Sequence, residues 1–459
     1  MIPNNNMTHG ERRATMALAS IMSIRMMGLF MILPVFAIYA QDLPDTTPTL
    51  VGLAIGIYGL TQAIFQIPFG MLSDRFGRKP IIYIGLLLFA VGSVIAALST
   101  SIIGIIIGRA IQGCGAIASA TLAMMADLTR EEHRTKAMAI MGMSIGSSFI
   151  LALALGPLFY RWISVPGIFW LTAMFALIGI AILYLIVPQP LSCRFHRDTE
   201  PAPTQFKRVL QDTQLLRLDF GILLLHLLLT SLFVVLPIVL KTKVDAEHHW
   251  LVYVPVLIAS VIAMIPFIII AEKYRKMKIV FVGAIGLLGL SQLGLSYLHH
   301  DLIGMILMLF LFFTAINLLE ASLPSLISKI APAESKGTAM GVYSSAQFFG
   351  AFLGGVMGGW LHQHYSISAV FAFCATLTVI WFILAATMQK PHYLTSHLLN
   401  IGQLDKQKAN QLTHCLMQVP GVAEVVIIIE DEVAYLKVDR KILDMAALTE
   451  CAVLNEVRC

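Results

Sequence analysis

Gly70-Met71-Leu72-Ser73-Asp74-Arg75-Phe76-Gly77-Arg78-Lys79 is a short charged run set between two long apolar segments. One carboxylate, three cations and two glycines share these ten residues. Charge placed beside lipid is costly, so a turn of this composition reads as functional rather than as a passive connector. Working outward, the surroundings of the run recur later in the chain. Shifted by 198 positions, from 67 to 265, Ile67-Pro68-Phe69 returns as Ile265-Pro266-Phe267. The same register sets Asp74 on Glu272, Arg75 on Lys273, Phe76 on Tyr274, Arg78 on Lys276 and Ile81 on Ile279. The repeat therefore includes the charged turn.

The chain of 459 residues is 58% hydrophobic and 12% charged. Soluble domains carry about 25% charged residues, so an ordinary soluble core is excluded. Twelve stretches approach the ~20 residues that a helix needs to cross hydrocarbon. They lie near 15–40, 49–72, 80–98, 102–127, 137–160, 167–187, 218–240, 250–271, 279–298, 302–328, 338–361 and 367–388. In lipid such segments satisfy their backbone hydrogen bonds only as helices. The first stretch, after Arg12 and Arg13, is too long for a signal-peptide core, so no cleavable leader is expected.

Basic residues mark alternate connections: Arg75, Arg78 and Lys79; Arg130, Arg134 and Lys136; Arg194, Arg197, Lys207 and Arg208; Lys273, Arg275, Lys276 and Lys278; Lys329 and Lys336. The intervening connections hold only Arg161, Lys241 and Lys243. The positive-inside rule then predicts that both termini are cytoplasmic. The net charge of +5 follows the membrane in this way and gives no reason to expect nucleic acid. Six cysteines (114, 193, 374, 415, 451 and 459) show no metal spacing. Neither a metal, a cofactor nor a disulfide framework is expected, and the tail thiols should stay reduced.

Four regions follow: residues 1–187 and 218–390 as two six-helix halves, 188–217 as a linker and 391–459 as a polar tail. The linker holds four prolines, and its residues 206–216 suit a short amphipathic helix on the inner leaflet. Leu29-Phe30-x-x-Leu33-Pro34 returns as Leu232-Phe233-x-x-Leu236-Pro237, and Ala137-Met138 returns as Ala339-Met340. Glycines crowd the eleventh stretch at 350, 354, 355, 358 and 359, serving as hinges, as close-packing sites or as both. The tail reads strand 396–401, helix 406–417, strand 424–429, strand 433–438 and helix 444–453. Val425, Ile427, Ile429, Val433 and Leu436 are expected on one sheet face against the helices. A unit this small is marginal alone, so pairing with a second tail, giving a homodimer, or docking within the chain is expected. The acidic turn Glu430-Asp431-Glu432 against Lys207-Arg208 is the expected intramolecular contact.

The charged run reads G-x-L-x-D-R-x-G-R-K and resembles the cytoplasmic loop between helices 2 and 3 of the major facilitator superfamily. Arg109-x-x-Gln112-Gly113-x-Gly115-Ala116 resembles a second motif of that superfamily. The resemblance covers essentially the whole chain, and the ferredoxin-like tail places it among inner-membrane bacterial members. It implies an all-α membrane protein of twelve transmembrane helices in two six-helix repeats, with a small α+β ferredoxin-like C-terminal domain. It also implies a secondary transporter working by alternating access, driven by protons and exporting a small amphipathic or hydrophobic compound. By the same resemblance Gly70, Asp74, Arg75, Gly77 and Arg78 form a latch with Asp127 and with the start of span 11 near Gly341. Arg78 would pair with Asp127 while Asp74 caps span 11, favouring the outward-open state. Span 5 departs from the exporter pattern, because Gly156-Pro157 is followed by Leu158, Phe159, Tyr160 and Arg161.

Ionisable groups inside lipid face cavities or partners by default. Arg25, Arg109 with Gln112, His226, Asn317 and Glu320 are therefore the candidates for proton coupling or the substrate cavity. Glu320 is the only carboxylate well inside an expected span, and Asn317, three residues earlier, shares its helix face. Desolvation there would favour its protonated form, as a proton carrier needs. Arg109 reads equally as a structural brace, and Gln62 and Gln66 as glue between helices. The expected partners are a small-molecule substrate, protons and the lipid bilayer. A transporter-derived sensor that signals through the tail is the alternative from another class. No nucleophile–base pair or nucleotide-binding loop suggests an enzyme.

Overall fold

The computed structural model describes residues 7–189, 205–332, 336–389, 395–402, 404–428, 433–439 and 442–454. Helix α1 (His9–Phe30) opens on a capping box: Thr8 Oγ1 accepts from Glu11 N at 3.2 Å, and Glu11 accepts from Thr8 N at 2.7 Å. A break at Met31-Ile32, with Pro34 behind it, starts α2 (Leu33–Tyr39), so the first span is two helices rather than one. Only Gly77 separates α3 (Pro48–Phe76) from α4 (Arg78–Leu98). The fourth span also divides, into α5 (Ile102–Cys114) and α6 (Ala118–Asp127). Close packing of Gly115 on Gly85 interrupts the ladder: a Cβ on Gly115 would lie 2.3 Å from the Gly85 carbonyl.

Helix α7 (Glu131–Leu185) carries non-helical geometry at Ser164, with φ 55, just ahead of Pro166. Its 55 residues would make a rod of about 80 Å, far beyond the ~30 Å of hydrocarbon, so the chain turns back there. After the linker come α8 (Phe206–Gln211), α9 (Thr213–Lys241), α10 (Trp250–Lys273), α11 (Met277–Leu298), α12 (Leu302–Ile330), α13 (Lys336–His364) and α14 (Ile367–Ala386). The amphipathic helix expected over 206–216 stops after six residues. Asp212 accepts hydrogen bonds from the amides of Gln214 and Leu215 at 2.8 and 3.3 Å and so caps a new helix. The seventh span consequently begins at Thr213, earlier than the expected 218.

Among the described residues ten stretches are long and apolar enough to cross a membrane. One of them, Lys136–Leu185, turns back at Ser164 and crosses twice. Helix α13, whose glycines dilute its hydropathy, completes twelve passages. Those glycines serve close packing on two sides. A Cβ on Gly350 or Gly354 would lie 2.0 or 2.2 Å from the Leu223 or Leu227 carbonyl of α9. On the other side a Cβ on Gly355 or Gly359 would lie 2.4 or 2.3 Å from the Gly52 or Pro48 carbonyl of the first half. Thr49 N donates to Gln363 Oε1 at 3.2 Å, and Arg161 pairs with Glu247 at 3.1 Å. These contacts join the halves at the end of the bundle opposite the charged turn.

The tail contains β1 (Thr395–Asn400), α15 (Lys406–Gln418), β2 (Val422–Ile428), β3 (Val433–Val438) and α16 (Met445–Leu454). The strands form an antiparallel sheet in the order β1-β3-β2, the arrangement of a β-α-β-β-α ferredoxin-like unit. Register pairs Val425 with Leu436 and Ile427 with Ala434. Ala434, Leu436 and Val438 face the helices with Leu412, Leu416 and Leu448. Val433 alternates onto the other face, against the expectation that it joins the helix side, and is buried there. Ile429 and the turn Glu430-Asp431-Glu432 lie outside the described residues. Cys415 and Cys451 form a disulfide between α15 and α16, Cα–Cα 6.0 Å, against the expectation of free thiols. The helices bring together two residues that are 36 apart in sequence, a proximity the spacing alone does not reveal.

The face of β3 away from α15 and α16 meets the membrane helices. Arg275 donates to both carboxylate oxygens of Asp439, at 3.0 and 2.6 Å. Lys437 Nζ donates to the carbonyls of Ala331 and Lys329, at 2.5 and 3.4 Å, at the end of α12. Burial pushes the Lys437 ammonium below the ordinary lysine pKa, with Glu424 beside it at 3.6 Å acting in the other direction.

Candidate functional site: a charged turn and two polar clusters

The charged turn is held by Arg78, which is 2% exposed. Its Nε lies 3.0 Å from Asp127 Oδ2 at the end of α6, its Nη1 donates to Ser73 Oγ at 2.9 Å, and it pairs with Asp74. Ser73 in turn donates to the Gly70 carbonyl at 2.6 Å. The reversal itself needs Gly77, whose φ of 93 is accessible to glycine at little cost. Arg75 is exposed and lies over Phe76. Gly341 is buried in α13. Residues 333–335, just ahead of α13, lie outside the described residues. In the second half Glu272 replaces Asp74 and binds Lys329 at 2.9 Å and Ser325 Oγ at 3.1 Å. The copy of the turn thus still ties its loop to the neighbouring helix, with the signs exchanged.

The first polar cluster surrounds Tyr58 of α3. Arg25, 1% exposed, donates from Nη2 to the Tyr58 hydroxyl at 2.8 Å, Gln62 Oε1 at 2.9 Å and the Gly115 carbonyl at 2.8 Å. The interruption between α5 and α6 supplies that carbonyl, since Gly115 sits where the helix ladder is broken. Arg109, 2% exposed, donates to the carbonyls of Ala54 and Ile55 at 3.3 and 3.2 Å and to Gln112 Oε1 at 3.2 Å. Gln112 then donates to Ser93 Oγ at 2.7 Å. Gln62 donates to Gln66 and Gln66 to Ser119, at 2.9 and 3.0 Å. Both guanidinium groups flank the Tyr58 ring, at 6.0 and 5.2 Å from its centroid. Carbonyls, amides, a hydroxyl and a π face surround these two charges.

The second cluster joins three helices of the other half. His226 Nε2 of α9 lies 3.5 Å from Glu320 Oε1 of α12. Gln347 of α13 donates from Nε2 to His226 Nε2 at 2.8 Å and to Glu320 Oε1 at 3.5 Å. Glu320 is not desolvated as the sequence reading expects: 43% of its side chain is accessible. Asn317 turns away from it and donates to Ser260 Oγ of α10 at 2.9 Å. A carboxylate of this half that is buried is Asp219 of α9, 7% exposed, with neither oxygen hydrogen-bonded.

The two clusters approach through Tyr58 and Phe348, the residue after Gln347, whose rings lie 6.3 Å apart. Sequence reasoning named Arg25, Arg109, Gln112, His226 and Glu320, which these clusters contain, and did not name Tyr58, Gln347 or Asp219. Tyr58, Gln62 and Gln66 recur every fourth residue on α3, and that period was available as a signal.

Known proteins place this architecture. A family model described as Major Facilitator Superfamily matches residues 18–243 and 218–402. The inner membrane transport protein YajR of Escherichia coli is 46% identical over 438 residues, covering 95% of this chain and 96% of that protein. Two solved structures share the fold at 14% identity. A mutant of the nucleoside transporter NupG has a TM-score of 0.66 and covers 82% of this chain and 100% of its own. A bacterial homologue of the human lysosomal transporter Spinster, inward-facing and unoccupied, has a TM-score of 0.65 and covers 83% and 98%. With twelve passages in two repeats, the charged turn and these matches over nearly its whole length, the chain belongs to the Major Facilitator Superfamily of membrane transporters.

Proposed function

We propose that this protein is a proton-coupled exporter of a small amphipathic or hydrophobic compound, working by alternating access in a bacterial inner membrane with both termini in the cytoplasm. The observation that carries the reading is the Glu320–His226–Gln347 cluster, whose carboxylate is accessible, joined through Phe348 and Tyr58 to the half that holds two buried guanidinium groups. Protonation of Glu320 would remove its charge and loosen its hold on Gln347. Substrate would then enter between Tyr58 and Phe348, where an apolar body and a polar end are both accommodated. The Asp74–Arg78–Asp127 turn acts as the cytoplasmic latch of the outward-open state, and the glycine contacts of α3 with α13 close the periplasmic end in the inward-facing state.

The test is flux. Purified protein in liposomes with an imposed pH gradient should move a lipophilic dye, and Glu320→Gln should abolish the gradient dependence while thermal-shift binding of the dye persists. Gradient-driven uptake unchanged in Glu320→Gln would leave Glu320 a structural residue. A second reading, a membrane sensor signalling through the tail, draws on the Arg275–Asp439 and Lys437–Ala331 contacts at the end of α12. Ligand binding that alters tail protection with no flux of any candidate would favour it.

A further inference from the structure

Asp219 stands apart from every polar group so far placed in the membrane helices. It sits in the second turn of α9, 7% exposed, and both of its oxygens lack a hydrogen-bond partner. Other ionisable side chains on the surrounding elements are engaged or lie further along. Arg217 of the same helix donates to the Thr387 carbonyl beyond α14 at 3.0 Å. Helix α8 carries Lys207 and Arg208. Tyr343 of α13, 4% exposed, lies within electrostatic range of both Asp219 and Glu320 of α12. His226 follows Asp219 by seven residues, two turns along the same face of α9, or about 10 Å deeper.

Burial of a carboxylate with neither a cation nor a donor favours the neutral acid, because the anion is deprived of solvation. We propose that Asp219 is a second proton-binding site, through which protons pass between the solvent at the charged-turn end and the Glu320–His226 pair. The proposal rests on the proton-coupling reading and extends it. In the inbound direction the Asp219 carboxylate takes a proton from hydronium and becomes the acid. The Asp219 acid then returns that proton to water, and the Glu320 carboxylate accepts one from water two turns deeper in the bundle. One proton is thereby transferred, and no other bond changes.

The experiment is infrared difference spectroscopy of the full-length protein in liposomes during a pH titration, read at the C=O stretch of protonated carboxyl groups. A band should persist to higher pH than the bands of exposed carboxyls. It should shift to lower frequency when the protein is labelled with carboxyl-¹³C aspartate. Asp219→Asn should remove it and Glu320→Gln should retain it. Asp219→Glu keeps the test open should the amide variant fold poorly, since it should restore a band that ignores the aspartate label. A band that survives Asp219→Asn, or a wild-type band insensitive to the label, would overturn the proposal. The two readings fail separately. An Asp219 band without gradient-driven flux refutes proton coupling alone, and flux lost in Glu320→Gln without an Asp219 band refutes the second site alone.

Discussion

Gly77 and Arg275 occupy the same place in the two sequence repeats and share a left-handed backbone, with φ of 93 and 54. The turn that needs glycine in the first half is kept in the second by an arginine, at the ~1–2 kcal/mol that a side chain costs in this region. Its guanidinium then reaches Asp439 of the tail.

Asp439→Ala should loosen the tail from the helical bundle by about 1 kcal/mol, the range of a partly exposed ion pair. Hydrogen–deuterium exchange of residues 433–438 at low salt should rise towards its high-salt value in the variant. Exchange that is equal in both proteins at every salt concentration would assign the tail's position to Lys437 alone.

Asp127→Ala leaves Arg78 buried without its partner at 3.0 Å. Removing one member of a buried pair costs about 3–5 kcal/mol when nothing else holds the charge, and the Asp74 and Ser73 contacts of Arg78 offset part of that. The variant should melt well below the wild type, whereas Asp74→Asn, whose side chain is 26% accessible, should lose less stability. Differential scanning fluorimetry in detergent gives the ranking, and the reverse order would show that Asp74 is the main partner.

Gly355→Ala places a Cβ 2.4 Å from the Gly52 carbonyl, so α3 and α13 must separate at that end. Distances between spin labels at positions 49 and 363 should lengthen, with the population moved away from the state described here. An unaltered distribution would mean that the helices accommodate the methyl by a shift along their axes.

A fragment of residues 391–459 should fold alone, and reduction should lower its melting temperature. A bridge closing 36 residues contributes roughly 3–4 kcal/mol by loop entropy. Circular dichroism melts with and without dithiothreitol read this directly. A random-coil spectrum under oxidising conditions would show that the tail needs the membrane helices.

The number and order of the passages were legible because each is an apolar run bounded by charged or polar residues. The interruptions were not. Met31-Ile32 and Gly115-Ala116-Ile117 are as apolar as their surroundings; Pro34 alone marks the first in the sequence, and packing on Gly85 marks the second in the fold. The amphipathic pattern of 206–216 runs straight through Asp212, although aspartate before a helical run is a capping signal. In the tail the strand positions were legible, but the assignment of Val433 failed because both faces of β3 are covered and alternation disappears. At the candidate site the sequence offered residues without environments. Glu320 lies well inside a span yet faces open space, and Asp219 lies near a helix start yet is enclosed.

The distribution of buried charge gives the space between the halves a direction. Arg25 and Arg109 stand on one side, Glu320 and the enclosed Asp219 on the other, and the rings of Tyr58 and Phe348 meet between them. These charged side chains are therefore segregated between the two repeats, cations in the first and carboxylates in the second. A dipolar guest held between Tyr58 and Phe348, as the proposed function has it, would lie with its negative end towards the first half and its positive end towards Glu320.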